Sequence, residues 1–374
     1  MKKIFLTVLC ISLFVAPVKA SPELSINARS YLLMEASSGK IILEHNADEK
    51  LPPASVTKIM TMLLVMEAID DGRLTMDEEV TASERAKSMG GSTIFLDTGE
   101  RMSVHDLLKG VAVSSGNDAS VALAEHLAGS ESEFVRMMNE RAAELSMTNT
   151  NFVNTNGLDA DGHLTSARDI AIMSRELLKH EKITEYTTIW MDSLRGGEFE
   201  LANTNKLIRF YDGANGLKTG STGKALFCLS ATAKRDDMQL ISVVMASPTS
   251  KDRFNGARAM LDYGFANYAV VRTEDELENV GEIRVEKGAK NNVAVRCGEM
   301  LSALVPKSKL RNVESSAEVM EKITAPVSKG DIVGKVSFYL EGEFLGAVSL
   351  VAADDVPKKN LSSTFMELMN KWLK

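Results

Sequence analysis

Leu51-Pro52-Pro53-Ala54-Ser55-Val56-Thr57-Lys58-Ile59-Met60-Thr61-Met62-Leu63-Leu64-Val65-Met66 ends one element and begins another. Proline disfavours helix in the residue before it but suits a helix's first turn, so Pro52-Pro53 reads as a stop followed by a start. From Ile59 to Ile69 nearly every position is apolar, which describes a helix buried all round, and Gly72 ends it. Residues 30–34 and 40–44 read as strands of a hairpin turned by Ser37-Ser38-Gly39. Residues 225–234 and 239–246 read as a second hairpin across Lys234-Arg235-Asp236-Asp237. Helical patterns fall between them at 104–112, 119–128, 131–145 and 167–178, and another at 253–265 closes the region. Residues 149–162, rich in Asn, Thr, Asp and Gly, read as a loop. Strands at both ends with helices between them predict an α+β domain over residues 21–270, an antiparallel sheet flanked by helices.

Around Asn279 the texture changes. Short alternating segments such as Val293-Ala294-Val295 and Ser337-Phe338-Tyr339-Leu340 predict a small all-β domain over 271–355. In the last stretch, 356–374, Leu361, Phe365, Leu368, Met369, Trp372 and Leu373 keep helical spacing, flanked by Lys358, Lys359, Lys371 and Lys374. That pattern predicts an amphipathic helix lying in a membrane interface. At the other end Lys2-Lys3, an apolar run over 4–16 and Val18-Lys19-Ala20 predict a secretory signal over 1–20, with the mature chain beginning near Ser21.

The 374 residues suit two domains plus processing segments, and 44% hydrophobic content is enough for a core. A net charge of −8 argues against nucleic acid as a partner. No His or Cys cluster has metal-ligand spacing, so neither a metal nor another cofactor is expected. Cys228 and Cys297 fall in different domains and read as buried small apolar residues.

Ser55 and Lys58 are three apart, so on a helix they share a face. A serine hydroxyl is a weak nucleophile until a base takes its proton, and a lysine serves once burial or nearby cations lower its pKa. Ser-x-x-Lys also occurs at Ser37 and Ser221, so the pair alone says little. Ser115-Gly116-Asn117 adds a hydroxyl to relay a proton and an amide to hold a carbonyl. Lys218-Thr219-Gly220 adds a cation, a hydroxyl and a glycine that lets a ligand backbone approach the following strand. The ordered set carries the signal.

Together the three motifs resemble those of the penicillin-binding proteins and serine β-lactamases. Pro53-Ala54-Ser55-Val56-Thr57-Lys58, Ser114-Ser115-Gly116-Asn117-Asp118-Ala119, Asn156-Gly157-Leu158-Asp159, Ser166-Ala167-Arg168-Asp169 and Gly216-Leu217-Lys218-Thr219-Gly220 are similar to the low-molecular-mass D-alanyl-D-alanine carboxypeptidases. The resemblance implies a transpeptidase-like fold, peptidoglycan stem peptides ending in D-Ala-D-Ala as substrate, β-lactams as acylating inhibitors, and a place on the outer face of the cytoplasmic membrane. It implies Ser55 as nucleophile, Lys58 as base and Ser115 as proton relay. Asn117 holds Lys58 and the substrate amide, and Lys218, Thr219 and Gly220 belong to the carboxylate pocket. The N–H groups of Ser55 and Ser221 form the oxyanion hole, and Thr222 and Arg253 assist with the carboxylate. Many relatives have histidine after Lys-Thr-Gly where this chain has Ser221, which leaves the deacylation rate and pH dependence open. His163, in the 159–165 loop, reads as a loop residue.

Three other readings compete. A class A β-lactamase needs a deacylating glutamate; no Glu-x-x-Leu-Asn occurs between Asn117 and Lys218, and Glu176-Leu177-Leu178 sits in a helical pattern. A D,D-endopeptidase would use the same residues on crosslinks. A catalytically idle wall scaffold is opposed by the intact Ser55, Lys58, Ser115, Asn117 and Lys218.

Overall fold

The computed structural model describes residues 24–272, 281–299, 301–360 and 372. The expected signal, residues 1–20, and residues 361–371, 373 and 374 of the expected amphipathic helix lie outside the described residues; its expected first residues are not helical, since Val356 and Lys358 form β-bridges with Val327 and Gly288.

Five antiparallel strands form the main sheet: β1 Ser30–Glu35, β2 Ile41–His45, β3 Ala214–Thr222, β4 Leu226–Arg235 and β5 Met238–Ser247. Their order is β2-β1-β5-β4-β3, so both expected hairpins form and β3 lies at an edge. Strand side chains alternate between faces, and β5 shows it: Ile241, Val243 and Met245 join one core while Leu240 and Val244 join another. Among the described residues the helices longer than two turns are α1 Lys58–Asp70, α2 Val104–Val113, α3 Asn117–Ala128, α4 Glu131–Glu144, α5 Ala167–Leu177 and α6 Ser250–Asn267. α6 covers one face of the sheet with Ala257, Met260 and Leu261, and α1 to α5 pack on the other.

α1 is the hub of that larger core. Ile59, Met60, Met62, Leu63, Val65 and Met66 have no exposed surface, which is why no polar stripe appears in its sequence. The helices around it are capped as the sequence allows. Ser103, Ser130 and Ser166 each accept the backbone N–H three residues on, worth about 1 kcal/mol apiece.

After α6 the chain forms β6 Tyr268–Arg272, β7 Gly281–Glu286, β8 Asn292–Cys297, β9 Ser302–Pro306, β10 Val313–Val319, β11 Lys322–Thr324, β12 Ile332–Leu340 and β13 Glu343–Ala352. Six of these make a sheet of order β10-β12-β13-β8-β7-β11 around Val285, Val295, Val336, Phe338 and Leu350. β6 pairs with β9, and Lys307 donates to the Phe265 carbonyl at 2.7 Å, so this β-rich unit is tied to the end of α6. Cys228 is buried and Cys297 half-buried, and both are free; Cys297 is thus less enclosed than its sequence suggested. Among the described residues no helix is long and apolar enough to cross a membrane.

Candidate active site

Ser55 sits on one turn of 3-10 helix, Ala54–Thr57, that runs into α1. The sequence suggested an α-helical start here; the tighter turn stacks residues three apart more directly. Lys58 Nζ lies 3.2 Å from Ser55 Oγ, 2.6 Å from Asn117 Oδ1 and 2.7 Å from the Asn156 carbonyl oxygen. A neutral amine has two N–H donors and one lone pair. Asn117 and Asn156 accept from Nζ, so a neutral Lys58 would turn its lone pair to the third neighbour, the Ser55 hydroxyl. Burial above all, and then the charge of Lys218, drive the Lys58 pKa well below the usual lysine range against the pull of Asp118.

Asn117 opens α3, and its side chain is fixed at both ends: Oδ1 on Lys58, and Nδ2 donating to the Gly90 carbonyl at 2.6 Å. Asp118 beside it is buried, and its carboxylate accepts the N–H groups of Ile94, Leu96 and Ala119 at 2.9–3.0 Å. The segment before α3 is thereby pinned against the site. Ser115 is buried in the α2–α3 connection, in the left-handed region at φ +66°.

β3 brings in the third group. Gly220 lies so near the serine turn that a Cβ there would sit 2.8 Å from the Ser55 nitrogen and 3.0 Å from the Pro53 oxygen. Only glycine lets the two backbones lie side by side. Lys218 is buried and donates to the Thr219 carbonyl at 3.0 Å; burial and then Arg253 bring its pKa down to about 7. Thr219 Oγ1 donates to Thr204 Oγ1 at 2.7 Å. Ser221 is exposed at the strand surface. Thr222 donates to the Asp159 carboxylate at 2.6 Å, tying the end of β3 to the 159–162 loop.

Arg253 is placed differently from a cleft residue. It projects from α6, is 7% exposed, and donates through Nη1 to the carbonyls of Gly220 and Cys228 at 3.0 and 3.1 Å. Its guanidinium also lies 4.7 Å from the Phe254 ring centroid. It braces β3 and β4 from behind.

Sequence reasoning named three residues here without giving them a role in the site. The Asn156 carbonyl holds Lys58, but a backbone role leaves no side-chain signature. Gly157, at φ +90°, would place a Cβ 1.9 Å from the Ala54 oxygen. His163 is 2% exposed rather than a free loop residue: Nε2 meets Thr57 Oγ1 at 2.8 Å, and Nδ1 accepts the Val153 N–H at 2.9 Å. Burial takes its pKa down to about 4, so it is a neutral prop under the serine turn. Glu176 lies on α5 bonded to Arg141 and Lys179 and takes no part in the site.

A serine facing a buried lysine whose charged form is disfavoured, beside a glycine-opened sheet edge, belongs to a serine hydrolase that works through an acyl-enzyme. The chain belongs to the D-alanyl-D-alanine carboxypeptidase family, whose pattern matches residues 16–249. Residues 270–358 match the family described as penicillin-binding protein 5, C-terminal domain. It is 42% identical over 360 residues to D-alanyl-D-alanine carboxypeptidase DacF of Bacillus subtilis, covering 95% of this chain and 92% of that protein. Penicillin-binding protein 5 of Haemophilus influenzae superposes with a TM-score of 0.75 at 34% identity, covering 90% of this chain and 99% of that one. Penicillin-binding protein D2 of Listeria monocytogenes, solved in its ampicillin-bound form, superposes with a TM-score of 0.60 at 32% identity, covering 65% of this chain and 100% of that one.

Proposed function

We propose that this serine peptidase removes the terminal D-alanine from peptidoglycan stem peptides ending in D-Ala-D-Ala, and that Ser55 carries the acyl group. The observation that carries the reading is the buried Lys58, bonded to Asn117 and Asn156 and 3.2 Å from Ser55 Oγ. Lys58 takes the Ser55 proton as Oγ attacks the carbonyl of the penultimate D-alanine. The N–H groups of Ser55 and Ser221 receive the oxyanion, a pairing supported by the contact of Gly220 with the serine turn. Ser115 passes a proton to the leaving nitrogen. Lys218 and Thr219 attract the terminal carboxylate, while Thr222 and Arg253 serve by holding β3 in register. Water then cleaves the ester, with Lys58 again as base, and the peptide leaves as a carboxylate.

β-Lactams present a strained amide to the same serine and acylate it. Residues 21–270 form the catalytic domain and 271–355 a β domain. Residues 1–20 direct export, and 356–374 hold the enzyme on the outer face of the cytoplasmic membrane.

The test is D-alanine release from a pentapeptide ending in D-Ala-D-Ala, run beside labelling with fluorescent penicillin. Both are expected in the mature protein and absent from Ser55→Ala. Labelling without release would overturn the carboxypeptidase reading and keep the nucleophile; absence of both would overturn the enzyme.

A further inference from the structure

The helical turn Leu207–Phe210 and the first half of α6 enclose a cavity of about 460 Å³ that the catalytic residues do not line. Lys206, Lys251 and Arg258 line it, and no acidic residue does. Among the described residues none of these three cations makes an ion pair, although the chain carries a net charge of −8. The carboxylates nearest along the chain are engaged elsewhere. Asp252 accepts from Thr249 at 2.7 Å, Asp262 accepts from Tyr211 at 2.8 Å, and Asp212 faces Arg235. Behind the cavity Arg253 is buried against carbonyls, with no carboxylate partner among the described residues. Positive charge held on one concave surface concentrates anions there. The larger cavity beside Arg175 and Arg272 has no such surplus. There Arg175 donates to the Ala36 and Ser37 carbonyls, Lys179 pairs with Glu176, and Arg272 pairs with Asp237.

The walls between the cations are apolar. Phe210 is 62% exposed and stands edge-on to Trp190, 6.0 Å between centroids, with the Arg209 guanidinium 5.8 Å from each ring. Phe254 lines the α6 side. Cations set among apolar faces suit an anion that carries methyl or aliphatic groups. A polyol phosphate would leave the rings without a partner, whereas a stem peptide has its terminal carboxylate next to an alanine methyl.

Position favours the same ligand. α6 bears the cavity on its first nine residues and leads to the β-rich unit at its other end, about 14 Å further along. The proposed membrane anchor follows that unit, so the cavity sits on the end of α6 away from lipid. Its link to the catalytic site is short: Ser250 Oγ, in the cavity wall, accepts from Arg253 at 3.4 Å, and the same guanidinium donates to the Gly220 carbonyl at 3.0 Å.

We propose that this cavity is a second, non-catalytic site for the carboxylate end of a stem peptide, one that holds a strand of the wall polymer while other stem peptides of the strand reach Ser55. The inference rests on the function proposed above. Lys206, Lys251 and Arg258 take the carboxylate, and Phe210 and Phe254 take the methyl groups. A strand carries many stem peptides, so holding one raises the local concentration of the rest.

The probe is a stem tetrapeptide ending in a single D-alanine, titrated against the mature protein after penicillin has acylated Ser55 and filled the cleft. One tetrapeptide is expected to bind per chain, and Lys206→Glu/Lys251→Glu should bind it at least about tenfold more weakly. Both lysines are exposed and lie outside the catalytic set, so this variant should release D-alanine from the free pentapeptide at the wild-type kcat. It should trim isolated cell walls more slowly. No binding to the acylated protein, or equal affinity in the variant, overturns the site. Tighter binding of phosphatidylglycerol vesicles than of the tetrapeptide overturns it too, by assigning the cations to lipid. A wild type that penicillin does not label would overturn the parent reading and this one with it.

Discussion

Lys58 and Lys218 are two buried amines, and the charge of Lys218 makes the Lys58 proton harder to keep. Burial is the first cause for both, and the charge of Lys218 adds to the depression at Lys58. In the proposed mechanism acyl transfer begins only when Lys58 is neutral, so the rate of penicillin acylation should rise with pH as that proton leaves. Replacing Lys218 by Met removes a positive neighbour and raises the Lys58 pKa. The rising limb of the acylation profile is therefore expected to move to higher pH in Lys218→Met; a limb that stays put or moves down refutes the coupling. The same shift has a thermodynamic side. Between about 7 and 10.5 the folded Lys218 binds fewer protons than the unfolded one, so folding strengthens as pH rises through that window. Part of that gain in Tm should be missing from Lys218→Met.

At the scale of elements, two segments meet the serine turn, and each makes contact through a glycine. A methyl at Gly157 would collide with the Ala54 oxygen at 1.9 Å on a backbone at φ +90°, and one at Gly220 would crowd the Ser55 nitrogen at 2.8 Å. Gly157→Ala should lose about 2 kcal/mol or more in denaturant unfolding, because strain and clash coincide. Gly220→Ala should keep more stability but acylate at least tenfold more slowly, since the strand moves off the nucleophile by a few tenths of an ångström. Normal acylation in Gly220→Ala would show that the close approach is dispensable. These contacts also mark the limit of what the sequence disclosed. Both hairpins, α1 with its apolar circumference and the closing helix were legible, because periodicity and turn residues are local properties. Ser55, Lys58, Asn117 and Lys218 were legible as motifs. Asn156 acts through its carbonyl and His163 through burial under Thr57, and neither has a local signature. The inward direction of Arg253, onto strand carbonyls, is likewise set by packing that a linear pattern does not encode.

For the whole molecule, the link between the catalytic unit and the β-rich unit is covalent through β6 and reinforced by the β6–β9 pair and Lys307. Activity on short peptides should not depend on residues 357–374, whereas location should. Deleting them is expected to move active enzyme from the membrane to the soluble fraction, read by D-alanine release after sedimentation; a truncated protein that still sediments with membranes refutes the anchor. The lysine that meets Ser55 takes its other partners from Asn117 and Asn156, 59 and 98 residues further on, and the strand beside the serine turn is held by Arg253, nearly 200 residues away. None of these partners is supplied by neighbouring sequence. A growing or half-collapsed chain can form α1 and carry both Ser55 and Lys58, yet the amine remains solvated and cationic and the hydroxyl inert. On the proposed mechanism, chemistry therefore waits for distant parts of the catalytic unit to come together, and penicillin labelling is expected to report folded molecules.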